Sequence, residues 1–175
     1  LHGESQRVGR ELVEHPLTKA VAFTGSLNGG KALAALAAGR SEPIPFHAEM
    51  GSLNPLFALP GALRERGGEI AEGYITAVTL FAGQMCTKPG VLAAIQSPEL
   101  DALLATASEV TRTRAPVPML NAGVRDNFEA SMQVLKEKAE LVAISDEAPD
   151  PSGNEAACQL FVAEASMFLN DPTLR

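Results

Sequence analysis

The sequence predicts an α/β fold, and three observations support this class. Short apolar runs alternate along the chain with longer runs of helical periodicity. Proline and glycine separate most of these runs, as they do at the ends of helices and strands. Apolar residues make up 46% of the 175 residues, which is enough to build a sizeable core.

Composition and charge exclude several classes of protein. The net charge of −7 argues against a nucleic-acid partner. The chain has two cysteines, too few for a disulfide framework, and this favours a reducing compartment, so we predict a cytoplasmic protein. No apolar run is long enough to span a membrane, and the histidines and cysteines do not have metal-site spacing. The chain starts with Leu1 inside a predicted helical region, so we expect it to be a segment of a longer protein.

The first part of the chain reads as helix, strand, glycine-rich turn and helix. These elements are predicted over residues 6–14, 21–24, 25–30 and 31–38, with the strand buried. A strand followed by a glycine turn and a helix presents backbone N–H groups to an anion. The turn lacks the full dinucleotide-binding pattern, so an ordinary connection remains the alternative.

Glu49 is the first candidate for catalysis. It lies in a strand predicted over residues 46–50, in a mostly apolar surround, and another extended run follows at 56–59. Burial in an apolar pocket raises the pKa of a carboxyl group, which suits it to act as a general base. A strand glutamate held in a salt bridge is the alternative.

Cys86 is the second candidate. A helical region predicted from 62 to about 82, with a break near Gly67-Gly68, leads into the loop 83–90 that contains this cysteine. A reactive cysteine needs exposure and a local field that favours the thiolate, and a loop at a helix end can supply both. The alternative is that Cys86 is a small buried hydrophobic residue, as most free cysteines are.

The remainder of the chain continues the α/β pattern. Cys158, with no glycine, proline or base nearby, is interpreted as structural. The predicted elements after the Cys86 loop are a buried strand at 91–95, helices at 98–111 and 126–140, a strand at 141–144, an acidic loop at 146–154 and a strand or short helix at 159–163.

Three motifs occur in a fixed order along the chain. They are Phe23-Thr24-Gly25-Ser26, then Glu49-Met50-Gly51 with Asn54-Pro55, and then Gly83-Gln84-Met85-Cys86. In this order and at these separations they resemble the aldehyde dehydrogenase superfamily, over essentially the whole chain. The segments 43–45, 49–55 and 86–90 resemble the subfamily that oxidises 2,5-dioxopentanoate, the semialdehyde of α-ketoglutarate. Met50 and Ser52 depart from the commoner family residues, leucine and glycine, but fit this subfamily.

The resemblance implies a role for each motif. Cys86 would be the nucleophile that attacks the aldehyde, and its backbone N–H would donate to the oxyanion. Glu49, in the same cleft, would be the general base that activates water for hydrolysis of the thioester. Gly25 and Ser26 would lie near the pyrophosphate of NAD or NADP, and Met50 with Gly51 near its nicotinamide. The residues that choose between NAD and NADP are expected upstream of Leu1, as is the family's oxyanion asparagine.

The resemblance also implies a domain organisation. Residues 1–45 would form the end of a Rossmann-like cofactor domain, and residues 46–175 an incomplete α/β catalytic domain. The substrate would be a small aldehyde, without nucleic acid or membrane as partner, and the parent enzyme would be a homo-oligomer. Two other functions remain open: a cysteine hydrolase or acyl transferase in which His47 is the base for Cys86, and a non-catalytic α/β module.

Overall fold

The computed structural model describes residues 5–174. The chain divides into two compact units, the first ending at Ser52 and the second beginning at Leu53. Each unit combines helices with a pair of parallel strands, which confirms the predicted α/β class. No helix within residues 5–174 has the length and apolar character needed to cross a membrane.

The first unit is built on one parallel strand pair. Val21 lies opposite Phe46 and Gly25 opposite Met50, so the two strands end together. The helix between them is the crossover connection that parallel strands require. In chain order the elements are α1 (Ser5–Glu14), β1 (Val21–Gly25), α2 (Leu27–Ala38) and β2 (Phe46–Met50).

The start of α2 differs from the prediction. We expected a glycine turn over 25–30 and a helix from residue 31, but the helix begins at Leu27. The Ser26 hydroxyl accepts a hydrogen bond from the Gly29 N–H at 3.2 Å and so caps the helix. The two glycines therefore lie in the first turn, where the capping bond offsets part of their low helix propensity.

Gly30 allows α2 to pack closely on the strand pair. A Cβ atom at this position would lie 2.5 Å from Met50 Cγ and 3.2 Å from Phe23 Cε1. Gly30 is buried, and Phe23 in turn stacks on Phe46 with ring centroids 6.3 Å apart. The glycine is thus required by the contact between helix and strands.

We expect Gly30→Ala to destabilise the full-length protein that carries this chain by about 1–3 kcal/mol, because the added methyl group overpacks the contact with Met50. Thermal unfolding measures the change. Gly73→Ala is the matched control, since no atom lies within 4 Å of a Cβ there. In an exposed helix interior this substitution should stabilise by up to about 1 kcal/mol. Equal melting temperatures for Gly30→Ala and the wild type would contradict the packing argument.

The second unit contains three strand pairs. Parallel β3 (Pro55–Ala58) and β4 (Val91–Ala94) align Pro55 with Val91. The other two pairs are antiparallel: β5 (Val117–Pro118) with β7 (Glu155–Ala156), and β6 (Glu140–Ile144) with β8 (Gln159–Val162). Two short 3₁₀ segments, Leu80–Gly83 and Pro172–Leu174, complete the unit. Its helices and strands are β3 (Pro55–Ala58), α3 (Pro60–Thr79), β4 (Val91–Ala94), α4 (Pro98–Arg112), β5 (Val117–Pro118), α5 (Ala122–Lys138), β6 (Glu140–Ile144), β7 (Glu155–Ala156), β8 (Gln159–Val162) and α6 (Ala165–Asn170).

The core of the second unit lies where α3 and α4 pack on β3. Arg66 has non-helical angles, so α3 bends close to the predicted break at Gly67-Gly68. Residues 80–82, which we expected to continue the helix, lie in the 3₁₀ segment Leu80–Gly83 instead. The buried core residues are small or aliphatic: Ala58, Leu63, Ala71, Ile75, Leu103 and Ala107.

Two strands are less buried than the sequence predicts. β1 has no fully buried residue, and Ile95, just after β4, is 65% exposed. Each of these strands is paired on one side only among the described residues, so one edge stays open. Apolar composition therefore overestimates burial at both places.

Candidate active site

The four predicted cofactor-binding residues lie together at one end of the first unit. Gly25 and Met50 are register partners at the carboxyl ends of β1 and β2. Gly51 follows, and its N–H donates to the Gly25 carbonyl at 3.1 Å. Ser26 caps the start of α2 at the same end. Parallel sheets bind ligands outside the carboxyl ends of their strands, so this is the position expected for a bound nucleotide.

The backbone at this end suits a group such as NAD or NADP. Gly51 has a positive φ of 68°, and no atom lies within 4 Å of where a Cβ would be. The first N–H groups of a helix have no intrahelical partners. The Ser26 hydroxyl accepts a hydrogen bond from one of them, and the others remain available to an anion. Small residues and free amides therefore meet at one place, as recognition of a pyrophosphate requires.

Glu49 does not have the apolar surround that the sequence predicted. Strand alternation places it on the opposite face of β2 from Met50, whose side chain lies against α2. Glu49 and His47 are both exposed. The expectation failed because apolar neighbours along the chain do not cover a strand face, and only packed elements do.

Cys86 occupies the second position of a tight turn. The Lys88 N–H donates to the Met85 carbonyl at 3.1 Å and closes the turn Met85–Lys88. Cys86 is exposed in the second unit, so it is not the small buried hydrophobic residue of the alternative interpretation. An exposed thiol in a hydrogen-bonded turn is accessible to a small electrophile.

Asn54, directly before β3, forms hydrogen bonds to this turn. Its side-chain Nδ2 donates to the Cys86 carbonyl at 2.6 Å and to the Lys88 carbonyl at 3.0 Å. The Gly90 N–H donates to the Leu53 carbonyl at 2.8 Å beside it. Hydrogen bonds from the segment directly before β3 therefore hold the loop that carries the thiol.

A left-handed stretch leads into the turn. Phe81, Ala82 and Gly83 have φ values of 51°, 57° and 69°, a conformation that non-glycine residues rarely adopt. Gln84 holds it, since its Nε2 donates to the Phe81 carbonyl at 2.9 Å and its Oε1 accepts from the Leu120 N–H at 2.9 Å. Such backbone strain is concentrated at functional sites in proteins.

Cys158 differs from Cys86 in its environment. It is partly buried, and burial raises the pKa of its thiol, against smaller opposing effects of Thr111 and Arg114. Burial also raises the pKa of Tyr74 to about 12, and Cys158 contributes to that shift. A thiol with a raised pKa is a poor thiolate donor, which agrees with a structural role for Cys158.

The candidate residues fall into two groups. Glu49 and the four cofactor candidates belong to the first unit, and Cys86 belongs to the second. That Glu49 and Cys86 share one cleft stays a prediction, as does the partnership of His47 with Cys86. Among the residues the structure describes, no three His, Cys, Asp or Glu side chains are grouped as metal ligands.

The sequence alone indicates no role for Asn54 or Gln84, although both lie in the motifs at residues 49–55 and 83–86. Both side chains bind backbone groups, and the partners Cys86, Lys88 and Leu120 lie 32, 34 and 36 residues away in the sequence. For Asn54 the available signal was an asparagine directly before a proline, a dipeptide typical of turns. For Gln84 no signal pointed to its partner, Leu120.

The chain is similar to known proteins over most of its length. The model of the aldehyde dehydrogenase family matches residues 1–143. The chain is 41% identical to an alpha-ketoglutaric semialdehyde dehydrogenase of Acinetobacter baylyi over 94% of its length, covering 31% of that protein. It is 37% identical over 98% of its length to alpha-ketoglutaric semialdehyde dehydrogenase 2 of Azospirillum brasilense, covering 33% of it.

A solved structure has the same fold. The NAD-dependent aldehyde dehydrogenase of Sinorhizobium meliloti superimposes with a TM-score of 0.75 at 22% identity, over 92% of this chain and 33% of that one. The chain thus spans about a third of the length of the proteins it matches. Since the family model covers most of its residues, the chain belongs to the aldehyde dehydrogenase family.

Proposed function

We propose that the protein carrying this chain oxidises an aldehyde to the carboxylic acid, with NAD or NADP as the oxidant and Cys86 as the nucleophile. The observation that carries the proposal is the exposed thiol of Cys86 in a turn held by Asn54, within a family of aldehyde dehydrogenases. The names of the two curated relatives support a semialdehyde, 2,5-dioxopentanoate, as the substrate.

The first half of the reaction uses Cys86. Its thiolate attacks the aldehyde carbon, a C–S bond forms, and the carbonyl electron pair moves to the oxygen. The Cys86 N–H would donate to this oxyanion, a preorganised interaction that can be worth about 3 kcal/mol in a transition state. Bound NAD(P)⁺ would supply the hydride acceptor, and loss of hydride from the thiohemiacetal carbon leaves a thioester on Cys86.

The second half uses Glu49. As general base, its carboxylate takes a proton from water, which attacks the thioester carbonyl and releases the acid and the Cys86 thiolate. Gly25 and Ser26 would hold the pyrophosphate at the start of α2, and Met50 with Gly51 would adjoin the nicotinamide. The predicted division into a cofactor domain (1–45) and a catalytic domain (46–175) is part of this proposal.

The test uses the full-length protein with 2,5-dioxopentanoate and either NAD⁺ or NADP⁺. We expect reduced nicotinamide and 2-oxoglutarate to appear in equal amounts, with less activity on an aldehyde of similar length that lacks the carboxylate. A cysteine hydrolase would instead cleave esters or thioesters with no requirement for NAD(P)⁺. Hydrolysis of esters with no reduction of the nicotinamide when the aldehyde and NAD(P)⁺ are supplied would contradict the proposal.

A further inference from the structure

We propose that Asn54 is a positioning residue for Cys86, and this inference rests on the proposed function. Its side-chain amide donates to two carbonyl oxygens of one turn, at 2.6 Å to Cys86 and 3.0 Å to Lys88. An amide nitrogen has two donors, so both are used on the segment that carries the thiol. Asn54 acts on the reaction through the backbone of Cys86.

The strand register explains why Asn54 reaches this turn. Pro55 and Val91 are partners at the first position of parallel β3 and β4, so the residues just before these strands lie side by side. Asn54 immediately precedes β3, and the Cys86 loop immediately precedes β4. The bond between the Gly90 N–H and the Leu53 carbonyl joins the two approaches at 2.8 Å. The core of the second unit therefore fixes the position from which the amide acts.

The backbone of Asn54 gives a second, independent indication. Its φ is 45°, in the left-handed region, and it precedes Pro55, where α-type conformations are disfavoured. Asparagine tolerates this region better than most residues. An unfavourable backbone persists only where the surroundings hold it, and such residues are concentrated at functional sites. Here the surroundings include the two carbonyl groups that the side chain binds.

The consequence for Cys86 follows from how the turn is closed. Within the turn, only the Lys88 N–H to Met85 carbonyl bond opposes its opening, and the cysteine itself is exposed. The amide of Asn54 adds two bonds that orient the Cys86 and Lys88 peptide groups. A nucleophile displaced by about 1 Å can lose about 100-fold in rate, so these bonds affect acylation more than folding.

The test compares two variants of the full-length enzyme. Asn54→Gly removes the amide but tolerates a positive φ, and Asn54→Asp keeps the shape but has no N–H donor. Ser97→Ala is the control. Ser97 lies beyond the other end of β4, and its hydroxyl accepts a capping hydrogen bond of 3.2 Å from the Leu100 N–H, which the variant loses. Three quantities are measured: the burst rate of reduced nicotinamide, site-resolved alkylation of Cys86 by iodoacetamide, and the melting temperature.

Both Asn54 variants should lower the burst rate by about 10-fold to 100-fold and change the alkylation rate of Cys86, because the thiol is no longer held in a reactive geometry. Ser97→Ala should lower the melting temperature without either effect. A burst rate equal to that of the wild-type enzyme in both Asn54 variants would overturn the inference. The inference would also be overturned if Ser97→Ala lost as much burst rate, for each degree of lowered melting temperature, as the Asn54 variants do.

Cys86→Ala separates this inference from the function on which it rests. An inactive Cys86→Ala enzyme together with wild-type bursts in the Asn54 variants would refute the positioning role alone. Full turnover in Cys86→Ala would refute the proposed function, whatever the Asn54 variants do. Slowed bursts in both Asn54 variants, with an inactive Cys86→Ala enzyme, would support both.

Discussion

Replacing Cys86 with alanine is expected to lower aldehyde oxidation in the full-length protein by about 10⁴-fold or more, the scale of loss when a covalent nucleophile is removed. The esterase activity of the same site should fall with it, since both reactions pass through an acyl group on sulfur. Initial rates of nicotinamide reduction and of ester hydrolysis measure the two losses.

Cys158→Ala is the matched control for that variant. Its thiol is partly buried, and burial raises its pKa, so it supplies little thiolate for reaction with an aldehyde. We expect both activities to stay close to those of the wild type. Turnover retained by Cys86→Ala but lost by Cys158→Ala would reverse the assignment of the nucleophile.

Glu49→Gln is expected to separate the two halves of the reaction. The first hydride transfer should still occur, because it needs the thiol of Cys86 and no base for water. Hydrolysis of the thioester should slow by about 10² to 10⁴-fold, the usual contribution of general base catalysis. Stopped-flow absorbance would then record a burst of reduced nicotinamide followed by slow turnover.

Glu72→Gln, an exposed glutamate of α3, is the control and should behave as the wild type. Loss of the burst in Glu49→Gln would mean that Glu49 also activates the thiol or maintains the structure. Because Glu49 is exposed and lies in a different unit from Cys86, this variant tests whether the two act in one site. Steady turnover at the wild-type rate would exclude Glu49 as the base.

Much of the fold could be predicted because its signals are local. The strand over Phe46–Met50 occurs where it was predicted, and α4 begins at the predicted Pro98 with Ser97 as its cap. The predicted starts of two helices were wrong because a side chain caps each helix earlier in the chain. Ser26 starts α2 before its glycines, and Asn121 starts α5 at Ala122 where a start near residue 126 was expected.

The candidate site could be predicted in part, for a related reason. The motifs identify Cys86 and the glycines at the end of β1, because those residues are required by type and order along the chain. The apolar surround of Glu49 could not be predicted, since burial depends on which elements cover a strand face. The contacts of Asn54 and Gln84 with Cys86, Lys88 and Leu120 depend on strand register and turns that bring distant residues together.

In the proposed reaction, Cys86 carries the acyl group during aldehyde oxidation. The most direct test mixes full-length Glu49→Gln protein with 2,5-dioxopentanoate and NAD(P)⁺, quenches the reaction in acid during the burst and maps its peptides by mass spectrometry. We expect a 2-oxoglutaryl thioester on the peptide that contains Cys86, formed only when the oxidised nicotinamide is present. An acyl group on Cys158, or a burst of reduced nicotinamide with no acyl group on Cys86, would contradict it.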